Sequence, residues 1–303
     1  MIYDTIIIGA GPAGITAGIY AARAGLNALV FEKLYPGGQV ANTDMVENYP
    51  GINSISGVEF AMQMASHAAE AGAKIETGEI LKIEMVGDVK KVYTESDIFE
   101  TKTIVLATGA IPRKLGLESE LRLAAKGVSY CATCDGSFFR GKVTAVIGGG
   151  DVALEDALYL SNLSSKVYIV HRRDKFRAKQ FLVDKAATKE NIEVIWDSNL
   201  MEIGGENVVD SMTVKNKHTD KLTTIPLSGV FIAVGILPES KFVKNLIELS
   251  DEGYIITDEK LQTNIPGVFA AGDVRDTTLR QIVTATADGA VCVSSVENYL
   301  NQQ

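Results

Sequence analysis

The chain opens on a short apolar run, residues 3–8, rich in isoleucine, a pattern that predicts a strand buried on both faces of a parallel sheet. The run passes into Gly9-Ala10-Gly11-Pro12-Ala13-Gly14, and the alanine-rich stretch 15–24 that follows has helical propensity and stops at Gly25. Residues 28–31 read as the next strand, closed by Glu32. Strand, glycine turn, helix and strand make a βαβ unit. A second unit of the same kind follows. Residues 143–147 form its strand, Gly148-Gly149-Gly150 its turn, 151–163 its helix and 166–170 its second strand. Only this portion recurs, so the pattern implies two domains of related build rather than a solenoid. Further apolar runs end on glycine at 104–109, 230–235 and 268–272, while 58–72 and 289–300 read as helices. Segments 75–102 and 206–226 alternate polar with apolar residues and contain turns at Gly87-Asp88 and 217–221, the signature of antiparallel hairpins laid over the sheets. The predicted class is α/β: two Rossmann-like dinucleotide-binding domains, each a parallel sheet with an antiparallel hairpin layer. Pro112 and Pro238 break the pattern and place the junctions near 112–118 and 238–243.

Composition narrows the setting. A length of 303 residues fits about two domains, and 46% hydrophobic with 22% charged residues is a folded, globular balance. The net charge of −9 argues against nucleic acid and against an anionic membrane surface as partners. No apolar run approaches the roughly 18 residues of a membrane span. The N-terminus carries Asp4 and no basic stretch, so no signal peptide is expected. Three cysteines are too few for a disulfide scaffold, which suits a reducing, cytoplasmic compartment. Cys292 reads as a small buried hydrophobe in the last helix, and His67 and His218 have no catalytic context.

The two glycine turns carry the first chemistry. Gly9, Gly11 and Gly14 have the dinucleotide spacing: a tight turn, a close backbone approach for a pyrophosphate, and a close helix–strand contact. The helix N-terminus then offers free N–H groups to the phosphates. Glu32 ends the second strand, where a carboxylate accepts hydrogen bonds from ribose hydroxyls and repels a 2′-phosphate, so this site suits FAD or NAD. The second turn, Gly148-x-Gly150-x-x-Ala153, differs at the equivalent position. His171 stands in place of the acid, with Arg172, Arg173 and Arg177 close behind. Arginines match a 2′-phosphate, so this site is expected to prefer NADPH.

Cys131-Ala132-Thr133-Cys134 lies just before the second unit. Two cysteines so spaced close a small disulfide ring, and its reduction takes the two electrons that a hydride carries. A zinc site needs two further ligands, and the remote His218 and Cys292 suggest none, so no metal is expected. Asp135, directly after the pair, is a candidate proton donor to a departing thiolate.

Together these motifs make the chain resemble the low-molecular-weight thioredoxin reductases over essentially its whole length. The resemblance is carried by Gly9–Gly14, Gly37-Gly38-Gln39, Val46-Glu47-Asn48-Tyr49-Pro50-Gly51, Ala107-Thr108-Gly109-Ala110, Cys131-Ala132-Thr133-Cys134-Asp135-Gly136, the second glycine turn, His171-Arg172-Arg173-Asp174 through Arg177-Ala178, the 267–274 segment and Arg280-Gln281. It implies an FAD domain split in sequence (1–115 and 242–303) around an inserted NADPH domain (116–241) that carries the cysteines and rotates between two working orientations. It also implies a homodimer. The implied activity is thioredoxin-disulfide reduction, with electrons passing from NADPH through FAD and the Cys131–Cys134 pair to thioredoxin or a thioredoxin-like protein.

Residue by residue, the resemblance makes Cys134 the cysteine nearest the flavin, Cys131 the one that attacks the partner disulfide, and Asp135 the acid. Gln39, Asn48, Asp273 and Gln281 contact FAD, with Asp273 near its ribityl–phosphate region. Pro12, Ala13, Lys33, Gly38, Ala107, Thr108, Gly109, Gly272, Arg280 and Ile282 complete that site, and Asp151 and Val152 join the NADPH set. Two positions depart from the family pattern. Val152 stands where the family has a small polar residue beside the nicotinamide nucleotide, and Ile282 where it has an alanine, a change the resemblance implies would tilt or crowd the flavin ring. Two other readings stand beside this one. Some relatives take electrons from ferredoxin but lack the paired arginines kept here, and a flavin dithiol oxidase would pass electrons to oxygen.

Overall fold

The computed structural model describes every residue except Asp44. Among the described residues the chain forms seven α-helices: α1 (Pro12–Arg23), α2 (Gly57–Glu70), α3 (Glu118–Arg122), α4 (Ala132–Asp135), α5 (Asp151–Ser161), α6 (Gln180–Ala187) and α7 (Ile282–Leu300). It divides into two compact units, one of residues 1–111 with 237–303 and the other of residues 112–236.

The first unit is built on a parallel sheet in the order Ile75–Thr77, Ala28–Glu32, Ile2–Ile8, Ile98–Leu106. Ile6 pairs with Leu29 on one side and with Ile104 on the other. The long strand Ile98–Leu106 has two neighbours on its far side. Ile104 also pairs in parallel with Val268, while Phe99 pairs antiparallel with Val92 in a meander that continues to Lys82–Val86. The hairpin expected as a separate layer therefore branches from the sheet itself, because nine residues of one strand outrun the three of Val268–Ala270.

Both faces of this sheet are covered, which is why Ile6, Ile7 and Ile8 are all buried. One face packs Ile7, Val30 and Val105 with Ile15 of α1 and Cys292 and Val296 of α7. The other packs Ile6, Leu29 and Leu106 with Val243 and Ile255. Each fully buried aliphatic chain contributes roughly 1.5–3 kcal/mol. Helix α7 begins at Ile282, seven residues before the start expected at Gly289. A Cβ at Gly289 would overlap the Ala13 carbonyl of α1, so this glycine serves a helix–helix contact and not a helix start.

The second unit repeats the plan. Its five strands are all parallel, in the order Val128–Ser129, Gly229–Ala233, Val143–Gly148, Lys166–Val170, Ile192–Ile195. Here the antiparallel strands Ser198–Gly204, Ser211–Asn216 and Leu222–Pro226 do form a sheet of their own, whose inward Leu200, Met212 and Val214 pack on Ala145 and Val230. Helices α4 and α5 cover the opposite face through Ala132, Ala153, Ala157 and Leu160.

Candidate active site

The first glycine turn leaves the strand Ile2–Ile8 where the neighbouring strands diverge to either side, the switch point at which open α/β sheets bind ligands. Gly9 has φ +104°, and a Cβ there would overlap the Ala107 carbonyl oxygen. A Cβ at Gly14 would overlap the Gly9 carbonyl, so that glycine lets α1 lie on the turn. Gly11 differs. Its backbone is extended, and a Cβ would meet only the Gly38 Cα at 3.9 Å. Nothing among the described residues crowds a side chain at position 11. The reason lies in what approaches the turn from outside, as a pyrophosphate on the N-terminus of α1 does. That terminus has no side-chain cap and no acid in its first turn.

Around this turn the expected residues converge. The Glu32 carboxylate accepts hydrogen bonds from Ala10 N (2.9 Å) and Leu34 N (3.1 Å), which fixes it at the mouth of the turn. An open cleft is lined there by Gly9, Glu32, Lys33, Gly78, Ile80, Thr108, Glu239 and Phe242, among others. Thr108 Oγ1 donates to the Glu239 carbonyl (2.7 Å), and Lys33 pairs with the Glu239 carboxylate at 3.4 Å. Gly37 N donates to Ala10 O, which lays Gly38 and Gln39 against the turn. Asn48 Nδ2 donates to Gln281 Oε1 (3.0 Å) at the start of α7.

Two orphaned polar atoms mark the far end of the expected site. Asp273 Oδ1 and Arg280 Nε are both buried without a hydrogen-bond partner among the described residues. Burial pushes the Asp273 carboxyl up to about 6, against the pull of Arg280. The Arg280 guanidinium lies 4.0 Å over the Tyr254 ring. Buried polar atoms are normally satisfied, so these two fit a ligand that brings hydroxyl or phosphate groups, as FAD does. Ile282 packs on the cluster of Val40, Val46, Ile55 and Phe60.

Sequence reasoning missed several members of this site. Asp288 of α7 accepts from Gly272 N (2.9 Å) and from Arg275 through Nε (2.6 Å) and Nη2 (2.9 Å), and so holds the Gly272–Val274 turn that carries Asp273. Glu239 and Phe242 were missed as well. Only the end of the apolar run 230–235 hinted that the next residues return to a strand edge.

In the second unit, a Cβ at Gly148 would overlap the Ala233 carbonyl and come within 2.8 Å of Ala153 Cβ, whereas one at Gly150 would meet nothing within 4 Å. Among the described residues nothing crowds the middle glycine, whose one call from the chain is its place before α5. Arg177 N donates to Gly149 O (2.7 Å), which draws the arginine loop to the turn. Arg172, Arg173 and Arg177 are exposed, and none pairs with a carboxylate among the described residues.

His171 is a different matter from its neighbours. It is buried, its ring fills the space a Gly149 Cβ would take, and it stacks on Phe176 at 5.9 Å. Burial lowers its pKa, reinforced by the three arginines, so the ring is neutral and the positive charge is theirs. Asp151 accepts from Lys179 N (2.8 Å), and Val152 points outward from the first turn of α5, 48% exposed.

The cysteines close a disulfide, Cys131–Cys134, with Cα atoms 5.3 Å apart. Cys131 is the residue before α4, which is one turn long and ends in Asp135. Ser129 Oγ donates to Asp135 Oδ2 (2.6 Å) and accepts from Cys131 N (3.1 Å). Upstream, Tyr130 Oη donates to the fully buried Glu120 (2.8 Å), whose carboxylate also accepts from the backbone N–H groups of Leu115, Gly116 and Leu117. On α5, Asp156 accepts from the Ala132 backbone, and burial pushes its carboxyl up to about 7.

The family model described as pyridine nucleotide-disulphide oxidoreductase matches residues 3–289. Among curated proteins, the thioredoxin reductase of Bacillus subtilis (strain 168) is 45% identical, over 99% of this chain and 96% of its own. That of Listeria monocytogenes is 46% identical over 99% and 95%. Among solved structures, the thioredoxin reductase of Streptococcus pyogenes MGAS5005 has a TM-score of 0.95 at 46% identity, covering 100% of this chain and 99% of that one.

Proposed function

The chain belongs to the pyridine nucleotide-disulphide oxidoreductase family, and from that premise we propose how its residues perform the disulfide reduction of its thioredoxin reductase relatives. The protein is an NADPH-dependent, FAD-containing thioredoxin-disulfide reductase. FAD, when bound, supplies the two-electron relay between the nicotinamide and the disulfide.

The first unit is the FAD domain. Gly11 with Pro12, Ala13 and Gly14 takes the pyrophosphate, and Glu32 and Lys33 bind at the adenosine end. Gly38, Gln39, Asn48, Ala107, Thr108, Gly109, Gly272, Asp273, Arg280, Gln281 and Ile282 line the remainder. The second unit is the NADPH domain. Gly148, Gly150, Asp151 and Val152 form its phosphate turn, His171 plugs that turn from behind, and Arg172, Arg173 and Arg177 take the 2′-phosphate.

Two electrons and two protons convert the Cys131–Cys134 disulfide to a dithiol. The Cys131 thiolate then attacks the partner disulfide, one partner sulfur leaves as a thiol, and a mixed disulfide remains. Cys134 attacks that bond, the second partner thiol departs, and the Cys131–Cys134 disulfide re-forms. Asp135, directly after Cys134 and held at 2.6 Å by Ser129, holds the proton exchanged with the departing sulfur. The partner is thioredoxin or a thioredoxin-like protein, and the same reading makes the enzyme a cytoplasmic homodimer. No helix among the described residues is long and apolar enough to cross a membrane.

The observation that carries this reading is the oxidised Cys131–Cys134 ring in the unit whose glycine turn is approached by the loop of Arg172, Arg173 and Arg177, none paired with a carboxylate among the described residues. The test is anaerobic titration with NADPH, NADH and reduced ferredoxin in turn, following flavin bleaching. NADPH should bleach at the lowest concentration and drive thioredoxin reduction. Bleaching by ferredoxin alone, or flavin-free protein, refutes it.

A further inference from the structure

The disulfide motif is tied together by a residue outside it. Ser129 ends the short edge strand Val128–Ser129 of the second unit, and it is buried. Its Oγ makes three contacts. It lies 2.6 Å from Asp135 Oδ2, 3.1 Å from Cys131 N and 3.3 Å from Cys131 O. A serine hydroxyl has one hydrogen to give and two lone pairs to accept with. The Cys131 N–H can only donate, so it always takes one lone pair. The single hydroxyl hydrogen must then choose between the Asp135 carboxylate and the Cys131 carbonyl.

Asp135 decides that choice. When it is ionised it can only accept, and the serine hydrogen points at Oδ2 in a charge-assisted bond. When Asp135 carries a proton on Oδ2, that proton points at Oγ, which accepts it on the second lone pair. The serine hydrogen is then free to turn to the Cys131 carbonyl. Every polar atom of Ser129 is satisfied in both states, with no movement of heavy atoms.

We propose that Ser129 is the positioning residue for Asp135, holding its carboxyl beside the Cys131–Cys134 ring in both protonation states by turning one hydrogen between Asp135 and the Cys131 carbonyl. The proposal rests on the disulfide reductase reading, since it assigns Asp135 the proton exchanged with the sulfurs. No bond to Ser129 forms or breaks in turnover, and the proton it helps hold belongs to Asp135 before and after.

The two contacts differ in strength. A hydroxyl bond to a carboxylate is roughly twice as strong as one between neutral groups, and at 3.3 Å the contact to the Cys131 carbonyl that replaces it is long and weak, so Ser129 favours ionised Asp135. Removing the hydroxyl moves the Asp135 limb of the pH–rate profile to higher pH, by about one unit. Asp156 of α5, whose carboxylate takes the Ala132 N–H, the neighbouring Glu155, and Asp151 at the start of that helix are the other acids on the element packed against α4. A limb belonging to Asp156 would survive in an Asp135→Asn variant, and one belonging to Asp135 would not.

The experiment compares the FAD-loaded enzyme with Ser129→Ala, Ser129→Thr, Asp135→Asn and the Ser129→Ala/Asp135→Asn double variant. FAD content and anaerobic bleaching by NADPH report on folding. The pH profile of NADPH-driven thioredoxin reduction reports on the proposal. Ser129→Ala should lower kcat roughly tenfold at the wild-type optimum and shift the limb upward, with the KM for thioredoxin little changed. Ser129→Thr, which keeps the hydroxyl, should restore the limb. Adding Ser129→Ala to Asp135→Asn should cost little more. A Ser129→Ala limb at the wild-type pH overturns the proposal, as does a full additional tenfold loss in the double variant. If Ser129→Thr fails to fold, the Ser129→Ala limb and the double variant decide. A wild-type enzyme that NADPH does not bleach sinks the disulfide reductase reading, and the Ser129 role falls with it. A wild-type enzyme that turns over with an unmoved Ser129→Ala limb sinks the Ser129 role alone.

Discussion

Gly148 and Gly150 stand two residues apart in one turn, and alanine at each should do opposite things. At Gly148 an added Cβ overlaps the Ala233 carbonyl oxygen and lies 2.8 Å from Ala153 Cβ, so either the turn or the strand Gly229–Ala233 must shift. Overpacking of that kind costs about 1–3 kcal/mol, and more where backbone is the obstacle. At Gly150 the Cβ meets nothing within 4 Å and φ is −101°, which alanine adopts freely. The stability cost there is only that of a poorer residue before α5, about 1 kcal/mol at most. What Gly150→Ala takes away is the close approach of a phosphate to backbone N–H groups. Each such charge-assisted bond is worth roughly 1.5–3 kcal/mol, so the loss of one raises the NADPH dissociation constant about 10- to 100-fold. The only tryptophan, Trp196, lies in this unit, 4.5 Å from the Phe176 ring, so its fluorescence in urea reads the unit's stability directly. Stopped-flow bleaching against NADPH concentration reads the affinity. If Gly150→Ala lowers the urea midpoint as much as Gly148→Ala and leaves the NADPH affinity unchanged, position 150 is glycine for the fold and the reasoning fails.

Replacing Arg172 and Arg173 with alanine should raise the KM for NADPH at least tenfold and leave that for NADH within about twofold, and equal effects on the two would remove the 2′-phosphate assignment. The Asp156 carboxyl, raised by burial from 3.8 to about 7, holds its proton more tightly in the folded chain than in the unfolded one. Its contribution to stability is therefore whole below pH 3.8 and is lost as pH rises through about 7, a decline of about 3 kcal/mol between pH 5 and 8. Asp156→Asn should flatten the Trp196-monitored stability over that interval by a like amount, and parallel curves for the two proteins would show the carboxyl to be ordinary. Burial also raises the Cys292 thiol, whose side chain is fully enclosed against the Ala270 carbonyl. The folded, reduced enzyme should thus lose two reactive thiols to an alkylating reagent and not three, as counted by mass.

The parts of this molecule legible in the sequence are those whose causes are local. The strand Lys166–Val170 falls where the apolar run predicts it, both glycine turns fall between strand and helix, and the CxxC closes on itself. What escaped has its cause across the fold. Gly289 looks like a helix boundary, and it is the point where α7 crosses α1. His171 stands in a row of cations, and burial makes it a neutral plug. Asp288 is one acid among many in the sequence until Arg275 and the Gly272 amide close on it. Glycine states the difficulty most sharply, because one letter stands for three unlike demands. Gly9 answers to its own φ, Gly14 to the backbone it touches, and Gly11 and Gly150 to neither. The last two became informative only when a Cβ at either proved free of overlap among the described residues, since a glycine that packing does not require points to something the chain binds. On that ground two separated turns, each with an unexplained glycine, point independently to two phosphate-bearing ligands, and the acid after one and the arginines after the other keep those ligands apart.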